Sequence, residues 1–408
     1  MNITIRPELD QQLVSPAFFQ DPYPTYDQLR EETPVAWSEA LQAWVLTRYD
    51  DCQATMLDVK RFSSQGRVLA ALDRYPAELR AEFKPLEDHF TGGLISSDPP
   101  NHTRLRALVT KAFIPRVVEA MRPRLQKLID DLLDDAMPRG QMDLLRDLAY
   151  PLPAVVIAQM LGAPPEDREN FKTWSDGIVA FQGSGVVSAE RMRHSQDDLL
   201  AMRAYLTKLI DDRRREPRDD LLGRLVSAEM EGDRLTQAEL LTTCVTLLTA
   251  GHETTTTTLA NGLYTLLKNP DELERLRADP ELMPTAIEEI LRFESPLHRN
   301  PRRASADIEY AGQQIRRGDY VLQIFASANR DPEVFPDPHR FDVARQPNRH
   351  LAFGLGLHFC VGAPLARLEA LIAFNTILRR LPNLRLNGPV EWERHSLFRT
   401  LKALPVAF

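Results

Sequence analysis

The sequence has 408 residues, of which 43% are hydrophobic and 26% are charged, as in an ordinary globular protein. Its net charge of -8 argues against general nucleic-acid binding. The three cysteines are scattered along the chain, which argues against a disulfide framework and fits a reducing cytoplasm. We expect a cytoplasmic protein with no membrane anchor, because the N-terminus lacks a signal-peptide core and no run of about 18 apolar residues occurs.

Hydrophobic periodicity predicts mostly helices in the first 235 residues. The segments predicted to be helical are 25–32, 50–57, a piece at 76–83 within an otherwise irregular stretch 64–96, 117–136, 144–161 and 196–215. Pro151 and Pro153 are expected to break the fifth of these. The β-branched and aromatic residues at 35–37 and 43–47 predict a hairpin, and 171–187 is a mixed stretch with three glycines.

Two basic groups lie at the start of a further helical segment. His102 and Arg106 are four residues apart, so on a helix they share one face. Two donors on one face suit an anionic carboxylate group. Taken alone, the pair fits a solvated basic helix start equally well.

A long helix is predicted from Thr236 to the residue before Pro270. Thr236 and Glu239 form a capping box, and the absence of proline allows about 32 helical residues, or about 48 Å. A helix of this length is expected to run through the core. Its interior contains Ala250–Thr255, where a glycine costs about 1 kcal/mol relative to alanine, and the close approach of a flat ligand would offset that cost.

Two alternative interpretations fit parts of this segment. His252 and Glu253 resemble the start of a zinc-protease helix, but residue 256 is threonine, so the second histidine ligand is absent. The segment also fits a tolerated polar kink that faces a neighbouring element, because threonine can bond the carbonyl four residues back.

The C-terminal part of the chain combines a helix, short strands and a glycine-rich loop. A helix over 284–293 carries Glu289 and Arg292, a pair that is usually a surface pair worth about 0.2–0.5 kcal/mol. Strands are expected at 302–304, 308–310 and 320–324. The tail, 397–405, is expected to return as a strand pair.

Cys360 lies in the glycine-rich loop, just before the helix that begins near Pro364. The glycines allow tight turns and close approach to a flat object, and the helix N-terminus favours a thiolate. Such a thiolate is either a nucleophile or a metal ligand. The alternative is a buried cysteine in a turn.

The segment Phe353–Arg367 has the order Phe-Gly-x-Gly-x-His-x-Cys-x-Gly and closely resembles the haem-binding loop of the cytochrome P450 family. Ala250–Thr255, Glu289–Arg292 and His102–Arg106 resemble further motifs of that family, in the family's order. The resemblance covers nearly the whole chain, from about Asp21 onward. It implies a mainly α-helical P450 fold with small β-sheets, in which haem is sandwiched between the long central helix and the helix after the cysteine loop.

We expect one P450 domain over 1–408, with β-rich parts at about 1–60 and 295–350. The resemblance implies haem b (iron protoporphyrin IX) as the cofactor and Cys360 as the iron ligand. The other implied site residues are His102, Arg106, Arg302 and His358 on the haem propionates, Ala250, Gly251 and Phe353 against the haem, Glu253 and Thr254 in proton delivery to dioxygen, and Glu289 with Arg292 as a structural ion pair. Arg299 and Arg303 rival Arg302 for the propionate.

The resemblance implies a bacterial-type monooxygenase that inserts one atom of O2 into a lipophilic small molecule, by hydroxylation or epoxidation. Because the chain shows no flavin or iron–sulfur module, a separate ferredoxin or flavodoxin-type donor with an NAD(P)H reductase is expected. The residues suggested for docking it are Arg104, Arg116 and Arg349. The segments suggested to line the substrate pocket are 64–96, 171–190, 243–254, 294–300 and 395–400. Two other functions stay open, a peroxide-driven haem peroxygenase and a non-catalytic haem-binding sensor.

Overall fold

The structure, a computed structural model, describes residues 2–111, 113–164, 167–182, 188–218, 220–230, 235–395 and 397–408. These residues form many helices and a few short strands, which confirms the predicted fold class. The α-helices are α1 (Pro7–Gln12), α2 (Pro16–Gln20), α3 (Tyr23–Glu32), α4 (Tyr49–Leu57), α5 (Ala77–Glu82), α6 (Lys84–Gly92), α7 (Asn101–Thr110), α8 (Pro115–Glu119), α9 (Arg122–Ala136), α10 (Pro151–Met160), α11 (Arg168–Gln182), α12 (Ala189–Arg215), α13 (Leu221–Met230), α14 (Gln237–Lys268), α15 (Pro270–Ala278), α16 (Met283–Phe293), α17 (Phe325–Ala328) and α18 (Ala363–Arg380). The strands are β1 (Val35–Ser38), β2 (Ala43–Leu46), β3 (Phe62–Ser63), β4 (Gln141–Asp143), β5 (Arg299–Ala304), β6 (Ile308–Tyr310), β7 (Gln313–Ile315), β8 (Tyr320–Ile324), β9 (Arg385–Leu386) and β10 (Pro405–Ala407).

The chain divides into two compact units. The first comprises residues up to Ser63, Ala120–Pro151 and Thr254–Phe408, and the second comprises Ser64–Glu119 and Leu152–Glu253. The division falls inside α14, between Glu253 and Thr254. In the described ranges, no helix combines the length and apolar composition that a bilayer-crossing helix needs.

The first unit contains a five-stranded sheet in the order β1-β2-β8-β5-β3. The predicted hairpin is confirmed: β1 and β2 pair antiparallel, with Trp37 opposite Trp44. β2 then runs parallel to β8, and β8 runs antiparallel to β5. Trp44 is only 1% exposed and packs in a cluster with Phe62 and Phe325, so the apolar residues of these strands form a core that anchors β5. The smaller sheets are β4-β10-β9 and β6-β7.

Helix packing in the first unit positions the helix that follows the cysteine loop. Gly262, in the C-terminal half of α14, has space for no side chain, because a Cβ there would lie 2.6 Å from Cζ of Phe374 and 3.0 Å from Cγ2 of Ile290. The missing side chain lets α16 and α18 pack closely against α14. These three helices therefore hold a fixed arrangement within the unit.

The second unit is built from helices. Gly177 lets α11 and α12 approach closely, because a Cβ at that position would overlap the Asp198 carboxylate. Ser195 on α12 donates a hydrogen bond to the Gly177 carbonyl at 2.7 Å. Phe90 of α6 stacks on Phe181 of α11 with ring centroids 4.8 Å apart. These contacts hold α11 against α6 and α12.

The 32-residue α14 matches the predicted length. Its capping box is present, since Thr236 N–H donates to Glu239 at 2.8 Å and Glu239 N–H donates to Thr236 Oγ1 at 3.2 Å. Two other helix predictions were wrong in detail. The segment 117–136 is divided into α8 and α9, with Pro123 near the start of α9. The predicted break in 144–161 is present directly before Pro151, between a π-helical stretch, Leu145–Ala149, and α10, whereas Pro153 lies within the first turn of α10 and does not break it. Part of 171–187 is the regular helix α11, and 183–187 lie outside the described residues.

Candidate active site

The cysteine loop is held open by tight backbone turns. Gly354 and Gly356 have φ of +68° and +69°, which a residue with a Cβ rarely adopts. Gly356 is also close-packed, because a Cβ there would lie 3.0 Å from Cδ2 of Leu57. The backbone N–H of Cys360 donates to the Phe353 carbonyl at 2.8 Å. The loop thus presents Cys360 as an exposed thiol, whereas the other two cysteines are buried.

The residues around Cys360 are also accessible. His358 is half-buried and ends a single 3₁₀ turn, Gly356–His358. Leu357 and Phe359 are 42% and 38% exposed, which is high for large apolar side chains. The segment therefore offers a thiol and apolar side chains on one short loop.

An ion pair next to the loop was missed by the sequence analysis. Arg367 of α18 donates to both carboxylate oxygens of Glu288 on α16 at 2.7 Å, and His350 lies 3.0 Å from one of them. Burial opposes ionisation of Glu288, but these hydrogen bonds outweigh it and lower its pKa to about 2. The Arg367 guanidinium also lies 4.4 Å from the Phe353 ring centroid. Glu288 therefore couples α16 to the loop, and its separation of 79 residues from Arg367 left no local signal.

Glu289 and Arg292 form a bidentate ion pair in which both side chains are 0% exposed, with N–O distances of 2.7 and 2.8 Å. Arg292 also donates to the carbonyls of Asn329, Pro338 and Arg340 at 2.9–3.2 Å. Three more donors reach Glu289, namely the Asp342 N–H and the side chains of Arg345 and Asn348. The pair is thus a hub that connects α16 to the segment 329–348, which precedes the cysteine loop.

The helix α14 is buried along most of residues 240–263 but contains a strip of residues that is less buried than the rest. The residues that are exposed or half-buried in this stretch are Thr246, Ala250, Gly251, Glu253 and Thr254. A Cβ on Gly251 would lie 3.6 Å from Ile157, an ordinary contact. Packing against the described protein atoms therefore does not demand glycine there.

Glu253 has two titratable neighbours within the second unit. One carboxylate oxygen each of Asp176 and Glu253 and one ring nitrogen of His252 lie within 4.8 Å of one another. Asp176 is exposed and His252 is buried. Burial, with a smaller contribution from Lys172, lowers the pKa of His252 to about 4, so its ring is neutral near pH 7. The sequence analysis did not single out Asp176, which lies 77 residues from Glu253.

The basic pair of α7 lies one helical turn apart. His102 is 1% exposed and Arg106 is half-buried. Arg104, suggested for partner docking, is engaged instead with Glu239 through two hydrogen bonds and with Asn101 at 2.6 Å. The buried position of His102 does not fit a solvated helix start.

The three arginines of β5 are divided between the two faces of the strand. Arg302 is 1% exposed and donates within its own strand, to the Pro301 carbonyl at 3.0 Å. Arg303 is half-buried and lies 5.0 Å from the Tyr320 ring centroid. Arg299 lies 5.3 Å from the ring centroid of Phe18 in α2, which is part of the N-terminal arm (residues 2–34). Arg299 and Arg303 share one face of the strand and Arg302 is on the other, because side chains alternate along β5.

A haem group fits the donor set of these residues. Cys360 offers an accessible sulfur, the ligand that haem-thiolate proteins use. The open strip of α14 has a small-residue pair, Ala250 and Gly251, which a flat ring can approach. His102 and Arg302 are buried donors of the kind that carboxylates need.

A family model and similar proteins of known name agree on one family. The family model described as cytochrome P450 matches residues 54–384. The cytochrome P450 monooxygenase PikC of Streptomyces venezuelae is 42% identical over 98% of this chain and 94% of its own length. The 6-deoxyerythronolide B hydroxylase of Saccharopolyspora erythraea is 38% identical over 97% of this chain and 98% of its own.

A solved structure shows the same fold. The crystal structure of P450BioI in complex with hexadec-9Z-enoic acid ligated acyl carrier protein has a TM-score of 0.90 and 36% identity, and the match covers 97% of this chain and 100% of that one. The predicted P450 fold is therefore confirmed, as is the predicted enzyme class. This chain belongs to the cytochrome P450 family of haem-thiolate monooxygenases.

Proposed function

We propose that this chain holds haem b through Cys360 and inserts one oxygen atom from O2 into a lipophilic small molecule, with residues 1–408 acting as one P450 domain. The observation that carries the proposal is the exposed Cys360 thiol. The loop that presents it is closed by a hydrogen bond of 2.8 Å from the Cys360 N–H to the Phe353 carbonyl. When bound, the haem supplies the oxidising chemistry, and the protein supplies the thiolate, substrate placement and protons.

The haem propionates are assigned to four donors of this chain. His102 and Arg106 share one face of α7, and Arg302 and His358 provide the others. Ala250, Gly251 and Phe353 are assigned to the faces of the ring. Arg302 is preferred over its two neighbours on β5, since Arg299 packs on the N-terminal arm and Arg303 on Tyr320.

Proton delivery is assigned to Glu253 and Thr254. A carboxylate oxygen of the half-buried Glu253 lies within 4.8 Å of one of Asp176. Because Asp176 is exposed, its carboxylate contacts solvent and can exchange protons with it. Protons can pass from Asp176 to Glu253, and the Thr254 hydroxyl holds a water molecule on the oxygen side. An Asp176→Asn variant tests the outer step: we expect slower product formation whose pH profile differs from that of the unmodified protein, with haem content unchanged.

Electrons are proposed to come from a separate ferredoxin or flavodoxin-type donor with an NAD(P)H reductase. Arg116 and Arg349 are exposed and remain candidates for contact with that donor, whereas Arg104 is occupied by Glu239. Comparing turnover supported by peroxide with turnover supported by donor, reductase and NAD(P)H distinguishes this function from a peroxide-driven one. Faster turnover with peroxide alone would contradict the proposal.

The lipophilic substrate class is supported by the similar proteins, whose names include a 6-deoxyerythronolide B hydroxylase and a complex with a fatty-acyl carrier protein. Ligand-induced spin-state shifts, measured over a panel of macrolides, fatty acids and steroids, test it. A panel in which only hydrophilic compounds shift the spectrum would exclude a lipophilic substrate.

The iron ligand is tested by Cys360→Ser. The substitution is expected to abolish the strongly red-shifted absorption band of the reduced carbon-monoxide complex, because that band requires a thiolate. Cys52→Ser is the matched control: Cys52 is buried and its thiol contacts the Leu46 carbonyl at 3.4 Å, so the band should survive. Retention of the band in Cys360→Ser would rule out this ligand.

A further inference from the structure

A small polar cavity lies in the first unit, away from the cysteine loop in sequence. Its enclosed space is about 10 Å³, enough for about one water-sized group, within about 260 Å³ that includes open solvent, and residues of the N-terminal arm, of the start of β5 and of the C-terminal segment line it. Its polar lining comprises Tyr26, His298, Arg299, His395, Arg399 and the exposed Glu393. Part of its lining lies in 294–300 and 395–400, two of the segments suggested for the substrate pocket, but no step of the proposed function assigns a role to Tyr26, His298 or Arg399.

Three buried polar atoms of the lining residues have no hydrogen-bond partner among the described residues. They are the Tyr26 hydroxyl, Nε2 of His298 and Nε of Arg299. These residues are 1%, 6% and 2% exposed. A buried polar group without a partner costs about 1–3 kcal/mol, so three of them around one cavity indicate a ligand that hydrogen-bonds to them.

The buried charges in and next to the cavity are unbalanced. Arg299 and Arg399 line it and Arg330 lies nearby, and all three are buried; among the described residues, the buried acid bonded to any of them is Glu294, which pairs with Arg399 at 3.2 Å. Glu393 also lines the cavity, but it is exposed, and no ion pair in the described part of the chain joins it to Arg299. Arg330 donates instead to a backbone carbonyl at 2.7 Å. Burial and the three arginines lower the pKa of His298 well below its ordinary value, so His298 adds no charge. A buried cation without a counter-charge is costly, and an anion would supply that counter-charge.

We propose that this cavity binds one small anion, either an inorganic ion or the carboxylate of a small organic acid. Arg299 provides the charge, and the Tyr26 hydroxyl and the His298 ring provide hydrogen bonds. Phe18, which packs against Arg299 at 5.3 Å and also lines the cavity, closes its apolar side. All the lining residues belong to the first unit, and the proposal does not rest on the proposed function.

Thermal unfolding of the haem-loaded protein tests the proposal. Sodium bromide, nitrate and acetate are titrated at constant ionic strength against sodium HEPES, whose anion is too large for the cavity. A ligand that binds only the folded state raises the melting temperature in a saturable way. We expect saturation with at least one of these anions. A response to bromide and nitrate alone identifies an inorganic ion, and a response to acetate identifies a carboxylate.

Variants locate the site. Arg299→Gln should weaken the anion affinity by at least about tenfold, because it removes a charged donor, and Tyr26→Phe, which removes one hydroxyl and keeps the ring, should weaken it less. Arg6→Gln is the control, since the Arg6 side chain is 50% exposed and pairs with Glu32 at the surface. The affinity of this variant for the anion should equal that of the unmodified protein. A bromide anomalous-diffraction peak beside Arg299 would place the ion directly. No saturable response, an equal response in Arg299→Gln and Arg6→Gln, or a bromide peak elsewhere would overturn the proposal.

Discussion

Replacing Arg292 with methionine tests whether the buried ion pair of α16 stabilises the fold. The substitution removes two hydrogen bonds to Glu289 and leaves three backbone carbonyls without their donor. Both side chains of the pair are 0% exposed. Breaking a buried pair costs about 3–5 kcal/mol, whereas the net stability of a protein is only about 5–15 kcal/mol. The loss is therefore a large fraction of the total.

The expected shift in melting temperature follows from the size of the chain. An unfolding entropy of about 2.1 cal/mol/K per residue gives about 0.9 kcal/mol/K for 408 residues. A loss of about 3–5 kcal/mol then lowers the melting temperature by about 4–6 °C. Arg292→Lys should restore little of this, because lysine cannot reproduce the two-pronged contact with a carboxylate.

Circular dichroism and haem absorbance, followed during heating, measure the loss of fold and of cofactor together. Arg215→Met is the matched control. Arg215 forms an ion pair with Asp212 at the same spacing of three residues, but the two side chains are 75% and 52% exposed. Surface pairs contribute about 0–1 kcal/mol, so this control should melt within about 1 °C of the unmodified protein. If Arg292→Met melts as the control does, the pair does not stabilise the fold as reasoned.

Burial raises the pKa of Glu369 to about 8, from about 4.5 in the unfolded chain. Between these two pH values the folded protein keeps a proton on Glu369 that the unfolded chain releases. The stability of the folded state that depends on this proton is complete below pH 4.5 and is lost as the pH rises to 8. Glu369→Gln should therefore melt progressively higher than the unmodified protein from pH 5 to pH 8, by up to about 5 kcal/mol in stability, and a gap independent of pH would contradict this. Gly262→Ala should destabilise the protein by about 1–3 kcal/mol in urea unfolding, because its methyl group would meet Phe374, and unchanged unfolding would show that the helices can separate there. Thr254→Ala should leave haem binding intact but divert electrons to hydrogen peroxide, so product per NAD(P)H falls; an unchanged yield would remove Thr254 from the role proposed beside Glu253.

Local patterns were sufficient for several features. The capping box at Thr236 and the long stretch free of proline predicted α14 with the correct length, because these signals act within one helix. The β-branched and aromatic residues at 35–47 predicted the hairpin for the same reason. The family was identifiable from the loop around Cys360, since its glycine spacing encodes a backbone conformation that few other residues permit.

Tertiary structure decided the features that depend on distant residues. No sequence pattern joins Glu288 to Arg367 or Asp176 to Glu253, because each pair lies on separate helices more than 70 residues apart. The burial of Glu289 was likewise not readable, since the same spacing occurs in exposed pairs. Sequence periodicity reports the conformation of a segment and which of its faces is apolar. Only packing determines which distant side chain meets that face, whether water reaches the contact, and so how strongly the charges interact.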